Sequence, residues 1–261
     1  MKTTNKKLTT RKIRSLKKDE TNRFLHMLTC YDYQSAKLLS QTDIDILLVG
    51  DSLGNVILGY ETTISVTLEE MIIFTSAVKR GAPEKFIVGD LPFGTYNTVD
   101  QGLASATQLI QRSGCEAIKL EGAFPHQLEL IKRLTHIGIP VMGHIGLTPQ
   151  AVNEQGGYYT HGKNDQSAQR LIQTAKDLQI AGCFAVVLEC IEESVSATIT
   201  KNIHIPTIGI GAGKQVDGQV LVLNDLLKLG SDYPPSFCKP IINLFDIKKE
   251  AIQKYLEQNH A

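Results

Sequence analysis

"DILLVGDSLGNVILGYETTISVTLEEMIIFTSAVKRGAPEKFIVGDLP", residues 45–92, decides the fold. It opens with a short apolar run, "DILLVGD" (45–51), and closes with another, "KFIVGDLP" (85–92). Between them "TLEEMIIFTSAVKRG" (67–81) carries helix signals: a Thr cap, Glu in the first turn and Gly at the end. Strand, helix, strand in one stretch implies parallel strands joined by a crossover. The same stretch poses a chemical choice. Read as "GDSL" (50–53), it suggests a hydrolase with Ser52 as nucleophile. Read as a strand delivering Asp51 to its end, it suggests a metal site.

Outward from this stretch the alternation continues. Strands are expected at 24–32, 117–122, 140–146, 184–190 and 205–213, with a further one at 218–225. Helices are expected at 33–41, 99–114, 126–138, 167–182, 192–202 and 246–259. Near-continuous apolar strands flanked by helices are buried on both faces. Eight repeats in 261 residues fit a (β/α)8 TIM barrel as one domain over 1–261. An open doubly wound sheet is the competing architecture. It would place a GxGxxG after the first strand, where "TCYDYQSAK" (29–37) stands instead.

Bulk composition narrows the function. Lys plus Arg and Asp plus Glu both number 27, so net charge is zero and neither nucleic acid nor an acidic membrane is an expected partner. The longest apolar run, about 180–188, falls short of the ~20 residues of a membrane helix. The five cysteines form no CxxC pair and read as reduced, buried cytosolic thiols. A basic segment covers about 1–22, with eight Lys or Arg and no acid in the first 18 residues. A cleavable presequence is one reading; a solvated helix over "TTRKIRSLKK" (9–18) is the favoured one.

In a barrel, reactive groups sit at the C-terminal ends of the strands. Those ends present Asp32, then Asp51 with Ser52, Asp90, Lys119 with Glu121, His144 and Glu189. Any single acid there reads more readily as a helix cap or turn former. Several acids on different strands point to a shared cation. Asp51, Asp90 and Glu121 are hard oxygen donors without thiols, a set suited to Mg²⁺. A 2-oxo acid is a natural bidentate partner for such an ion. Glu189 is left as the candidate general base. Lys119 shares a face with Glu121 and is placed to hold a substrate oxygen. His144 reads as a wall residue or a catalytic one. Two decoys remain. A serine hydrolase needs a base for Ser52, yet no Asp in the chain has His three residues on. "GIGAGK" (209–214) misses the Walker A spacing and reads as an anion loop or a tight turn.

The ordered blocks "MLTCYDYQSAKL", "DILLVGDSLGNVILGYETTISVTLEEM", "VGDLPFGTY", "AIKLEG", "PVMGHIGLTPQ", "VLE" and "IPTIGIGAG" resemble the 3-methyl-2-oxobutanoate (ketopantoate) hydroxymethyltransferase family over roughly 24–240. The resemblance implies a barrel of the phosphoenolpyruvate mutase/isocitrate lyase type. It implies a cytoplasmic enzyme of pantothenate synthesis that moves a one-carbon unit from 5,10-methylenetetrahydrofolate to 3-methyl-2-oxobutanoate. It places Mg²⁺, one per subunit, on Asp51, Asp90 and Glu121. Substrate contacts fall on Asp51, Ser52, Asp90 and Lys119, and the proton acceptor on Glu189. It implies a homo-oligomer, often a decamer, and leaves the folate contacts unassigned. The chain departs from the family pattern at Ala123, where Gly is usual, and at His161, where Gln is usual. A carbon–carbon lyase or mutase of a 2-oxo acid on the same barrel is the nearest rival. A catalytically silent scaffold is the non-enzyme one.

Overall fold

The computed structural model describes residues 7–17, 23–230 and 233–258. Eight parallel strands follow one another around a closed barrel. They are β1 (Leu25–Thr29), β2 (Ile46–Val49), β3 (Phe86–Asp90), β4 (Ala117–Glu121), β5 (Val141–Gly146), β6 (Ala185–Glu189), β7 (Thr207–Ile210) and β8 (Gly218–Leu221). The expected strands are all present, each trimmed to the residues that pair.

The helices are α1 (Thr10–Leu16), α2 (Tyr33–Leu39), α3 (Leu53–Val56), α4 (Leu68–Gly81), α5 (Val99–Ser113), α6 (Pro125–His136), α7 (Val152–Gln155), α8 (Asp165–Ala181), α9 (Glu193–Asn202), α10 (Leu223–Leu226) and α11 (Leu244–Gln258). Their ends follow local chemistry. Thr67 caps α4 in a reciprocal box with Glu70. Thr98 caps α5, which stops at Gly114 in the left-handed region. The chain divides into two compact units, Met1–Val220 and Leu221–Ala261, where the sequence suggests a single domain. In the second unit, backbone bonds from Ile241, Leu244 and Phe245 to Leu226, Leu227 and Lys228 tie the start of α11 and the chain just ahead of it to the end of α10 and the two residues after it.

The barrel interior is built by alternation. Leu25 and Met27 of β1, Ile46 and Leu48 of β2, Phe86 and Val88 of β3 and Ala117 of β4 belong to one buried cluster. Met142, Ala185, Val187, Ile208 and Val220 continue it around the barrel. Successive side chains of a strand point to opposite faces, so the next inward positions are fixed. They are Asp90 after Val88, Lys119 and Glu121 after Ala117, His144 after Met142, and Glu189 after Val187. The interior thus changes from apolar to ionisable along the strands, and the polar end is the C-terminal one.

Helix α1 corrects one expectation. Ile13 and Leu16 are buried in the same cluster as the barrel interior, so the helix plugs the core and is not simply solvated. Arg14 donates to Gly182 O, and Lys17, which caps the helix, pairs with Asp217 at 2.6 Å. The rest of the basic segment, residues 1–6 and 18–22, lies outside the described residues.

Candidate active site

Strand register brings the predicted residues together. Asp90 stands beside Lys119 on the neighbouring strand, and Glu121 beside His144. Lys119 Nζ lies 2.8 Å from Asp90 Oδ2, and the Asp51 N–H donates to that same oxygen at 3.3 Å. Asp51, Asp90, Lys119, Glu121 and His144 are all buried. Glu189, at the end of β6, is half-buried. His144 links the two sides: Nδ1 lies 3.5 Å from Glu121 Oε1, and Nε2 lies 3.1 Å from Glu189 Oε2. Lys119 Nζ is 3.3 Å from Nδ1. A lysine ammonium only donates, so that contact is a hydrogen bond only when His144 is neutral with its hydrogen on Nε2; a protonated His144 directs Nδ1–H toward Glu121 instead.

The charges perturb one another strongly. Burial, together with the charges of Asp90 and Glu121, holds the Asp51 carboxyl well above the usual range. Burial also raises Asp90, although Lys119 opposes it. Glu121 goes the other way: burial disfavours its charge, but His144 and Lys119 outweigh burial and lower its pKa. Burial and Lys119 press on His144, yet its contacts with Glu121 and Glu189 prevail and push it up to about 9. Lys119 is held protonated by its three acidic neighbours against its own desolvation. Opposed shifts gathered in one buried cluster at the strand ends are the pattern of a functional-site candidate.

Among the described residues, two buried carboxylate oxygens have no hydrogen-bond partner: Asp90 Oδ1, and Glu121 Oε1, which His144 Nδ1 approaches only to 3.5 Å. Buried acceptors are normally satisfied, and a bound cation is one explanation when they are not. Among the described residues, no three His, Cys, Asp or Glu side chains form a ready-made metal cage. The orphaned oxygens and the all-oxygen donor set are what fits a hard cation such as Mg²⁺, which keeps waters and takes remaining ligands from substrate.

Gln150 is the site residue that sequence reasoning missed. Its backbone N–H donates to Glu121 Oε2 at 3.1 Å, and its side-chain Nε2 donates to Asp51 Oδ2 at 2.8 Å and to Leu91 O at 3.0 Å. Its Oε1 accepts from the Tyr96 hydroxyl at 2.5 Å. An uncharged amide escapes a search for acids and bases; its only signal is its place in "GHIGLTPQ", just past the β5 end.

Other predicted residues resolve differently. Asp32 is a helix cap, accepting from the Gln34 and Ser35 amides and the Ser35 hydroxyl. Ser52 Oγ bonds the Tyr31 hydroxyl at 2.8 Å, an arrangement without the imidazole a nucleophilic serine requires. The Lys214 amide of the glycine-rich loop is satisfied by Glu193 Oε1, and a Cβ at Gly213 would come 2.3 Å from the Glu193 side chain. That loop is a tight turn. His161 stacks on Tyr159 with ring centroids 4.4 Å apart, and its backbone bridges Ile191. Gly146 has φ +98, and a Cβ there would come 2.2 Å from Glu189 O, so glycine is required where β5 passes the Glu189 backbone.

Comparison with known proteins bears on the family and the fold. The family described as ketopantoate hydroxymethyltransferase matches residues 7–261. A 3-methyl-2-oxobutanoate hydroxymethyltransferase from Leptospira interrogans is 47% identical over 232 residues, 88% of this chain and 88% of its own. One from Francisella tularensis subsp. novicida is 47% identical over 247 residues, 94% of this chain and 92% of its own. Among solved structures, 2,3-dimethylmalate lyase, a member of the PEP mutase/isocitrate lyase superfamily, superposes with a TM-score of 0.59 at 14% identity, covering 95% of this chain and 98% of its own. Phosphonopyruvate hydrolase, solved with oxalate and Mg²⁺, gives 0.61 at 11% identity, covering 96% and 99%. These similarities show the barrel fold shared with those proteins. The identity to the curated relatives is carried across most of both chains, and the chain belongs to the ketopantoate hydroxymethyltransferase family.

Proposed function

We propose that this enzyme transfers a hydroxymethyl group from 5,10-methylenetetrahydrofolate to 3-methyl-2-oxobutanoate, giving 2-dehydropantoate, the first committed step of pantothenate synthesis. The observation that carries the reading beyond family membership is His144 Nε2 lying 3.1 Å from Glu189 beside the buried Asp51, Asp90, Lys119 and Glu121 cluster. Asp51, Asp90 and Glu121 would hold Mg²⁺, one ion per subunit; phosphonopyruvate hydrolase, of similar fold, was solved with Mg²⁺ and oxalate. When bound, the ion supplies Lewis-acid polarisation of the substrate ketone.

Lys119 and Ser52 orient the oxo acid through its ketone and carboxylate oxygens. Glu189 takes the proton from C3, and His144 holds the Glu189 carboxylate toward the site. The carbon freed of its proton forms a bond to the donor's methylene carbon, both methylene–nitrogen bonds break, water supplies the hydroxyl, and the two folate nitrogens take up the proton held by Glu189 and the remaining proton of water. Tetrahydrofolate leaves. We place the enzyme in the cytoplasm as a homo-oligomer, a decamer on the family pattern; among the described residues no helix is long and apolar enough to cross a membrane. The test is a purified-enzyme assay of 3-methyl-2-oxobutanoate with and without methylenetetrahydrofolate and with EDTA. Folate-dependent formation of 2-dehydropantoate, abolished by EDTA and restored by Mg²⁺, is expected. Cleavage of a 2-oxo acid without folate would favour a lyase instead.

A further inference from the structure

A cavity of about 370 Å³ opens beside the carboxylate cluster, within the loops that follow β3, β4 and β5. Glu121 and Gln150 form part of its wall, so its inner end is the site itself. Its size falls at the small end of the roughly 300–1,000 Å³ of ligand pockets. Two phenylalanines line it, Phe93 and Phe124, 48% and 68% exposed. Two large apolar rings on the wall of one cavity give a ligand an apolar surface to pack on.

The rings are exposed on loops that are firmly held. Gln127 accepts from the Phe124 N–H at 2.8 Å and donates to Glu121 O at 2.9 Å, tying the Phe124 loop to the end of β4. Gln101 donates to Gly94 O and accepts from the Asn97 N–H, fixing the Phe93 loop. Gln155 donates to the Thr148 hydroxyl at 2.8 Å and holds the third loop. Exposure of the two rings is therefore a property of an ordered wall.

The remaining lining chemistry selects the occupant. Asn97, Asn153 and Glu154 supply amide donors and acceptors and one carboxylate. Among the described lining residues there is no Lys or Arg, and the one imidazole, His126, lies stacked along Phe124, so a second oxo acid or a phosphate finds no fixed positive charge there. Aromatic walls with a carboxylate and two amides suit a flat, neutral heteroaromatic ring that bears N–H donors and ring acceptors. We propose that this cavity seats the pteridine ring of the folate donor, its methylene-bearing edge toward Glu121 and its glutamyl tail outside. Phe93 and Phe124 clasp the ring, and Glu154 accepts from its N–H groups. This assignment rests on the folate-dependent reaction proposed above and names the residues that reaction leaves open.

The experiment titrates 5-formyltetrahydrofolate, a non-transferring folate, into enzyme with Mg²⁺ and 3-methyl-2-oxobutanoate, by calorimetry. Wild type, Phe124→Ala and Glu154→Gln are compared, both substitutions being at exposed positions that leave the barrel core intact. Loss of one stacking wall should raise the folate Kd about tenfold or more, and loss of the carboxylate should do likewise. In turnover the KM for methylenetetrahydrofolate should rise in step while kcat falls less. Wild-type binding with both variants unchanged would overturn the cavity assignment and leave the folate reaction standing. A wild type that neither binds folate nor uses it would overturn the reaction and the assignment together.

Discussion

At the scale of the residue, the site is a set of opposed charges held by one neutral amide. Gln150 reaches Asp51 and Glu121 at once and is itself fixed by Tyr96. Residues that orient ligating carboxylates are typically worth about 10–100-fold in affinity or activity. Gln150→Leu should therefore lower kcat/KM by about that factor and weaken Mg²⁺ binding, read by kinetics and by metal titration. Tyr96→Phe, which frees only the far end of the amide, should have the smaller effect; equal losses would contradict the ordering. The thiols give an independent check on burial. Desolvation pushes Cys30 and Cys183 up to about 12 and Cys115 and Cys190 up to about 11. At pH 8 iodoacetamide should label all four slowly in the folded protein and readily in denaturant; rapid native labelling of Cys30 would contradict the buried placement. The ionisable half of the site is legible in the sequence, because Asp51, Asp90, Glu121 and Glu189 each follow an apolar run. Gln150 and Tyr96 are not, since nothing about an amide or a phenol in a loop separates site from surface. Asp32 shows the converse error: the same pattern, an acid after a strand, serves there as a helix cap.

At the scale of the element, caps and plugs set stability. In the α4 capping box, slight burial raises the Glu70 pKa, but bonds from the Thr67 N–H and hydroxyl and from the Tyr60 hydroxyl outweigh it, so the folded value lies below the ordinary one. A lowered folded pKa means the stabilisation is present above the unfolded pKa of about 4.3 and is lost as pH falls through the folded value. The Tm gap between wild type and Glu70→Ala should thus be constant near neutrality and narrow below about pH 4. A gap that widens in acid would contradict this sign. For α1, Ile13 is fully buried in the barrel cluster. Ile13→Ala should destabilise by about 2–5 kcal/mol in urea denaturation. A change within about 0.5 kcal/mol would instead return α1 to the solvated helix that its Lys and Arg content suggests. That burial is illegible locally: two apolar residues in seven positions give too weak a stripe, and their partners arrive from strands far along the chain.

At the scale of the whole molecule, eight strands in sequential order close the barrel, and inward alternation carries the core into the site. The architecture is legible because parallel strands buried on both faces write themselves as repeated apolar runs. The division at Val220 is not, since no linker composition marks it. The closed barrel also explains why the cluster works as one unit: Asp90, Lys119, Glu121, His144 and Glu189 come from four consecutive strands, β3 to β6. The central claim is that this unit exists to remove the C3 proton of an oxo acid, with Glu189 as the group that takes it. The most direct test is deuterium exchange at C3 of 3-methyl-2-oxobutanoate, with Mg²⁺ and without folate, in wild type and Glu189→Gln. The account predicts exchange by the wild type and a loss of about 10²–10⁴-fold in the variant, with oxo acid binding retained. Exchange by Glu189→Gln at the wild-type rate would contradict it.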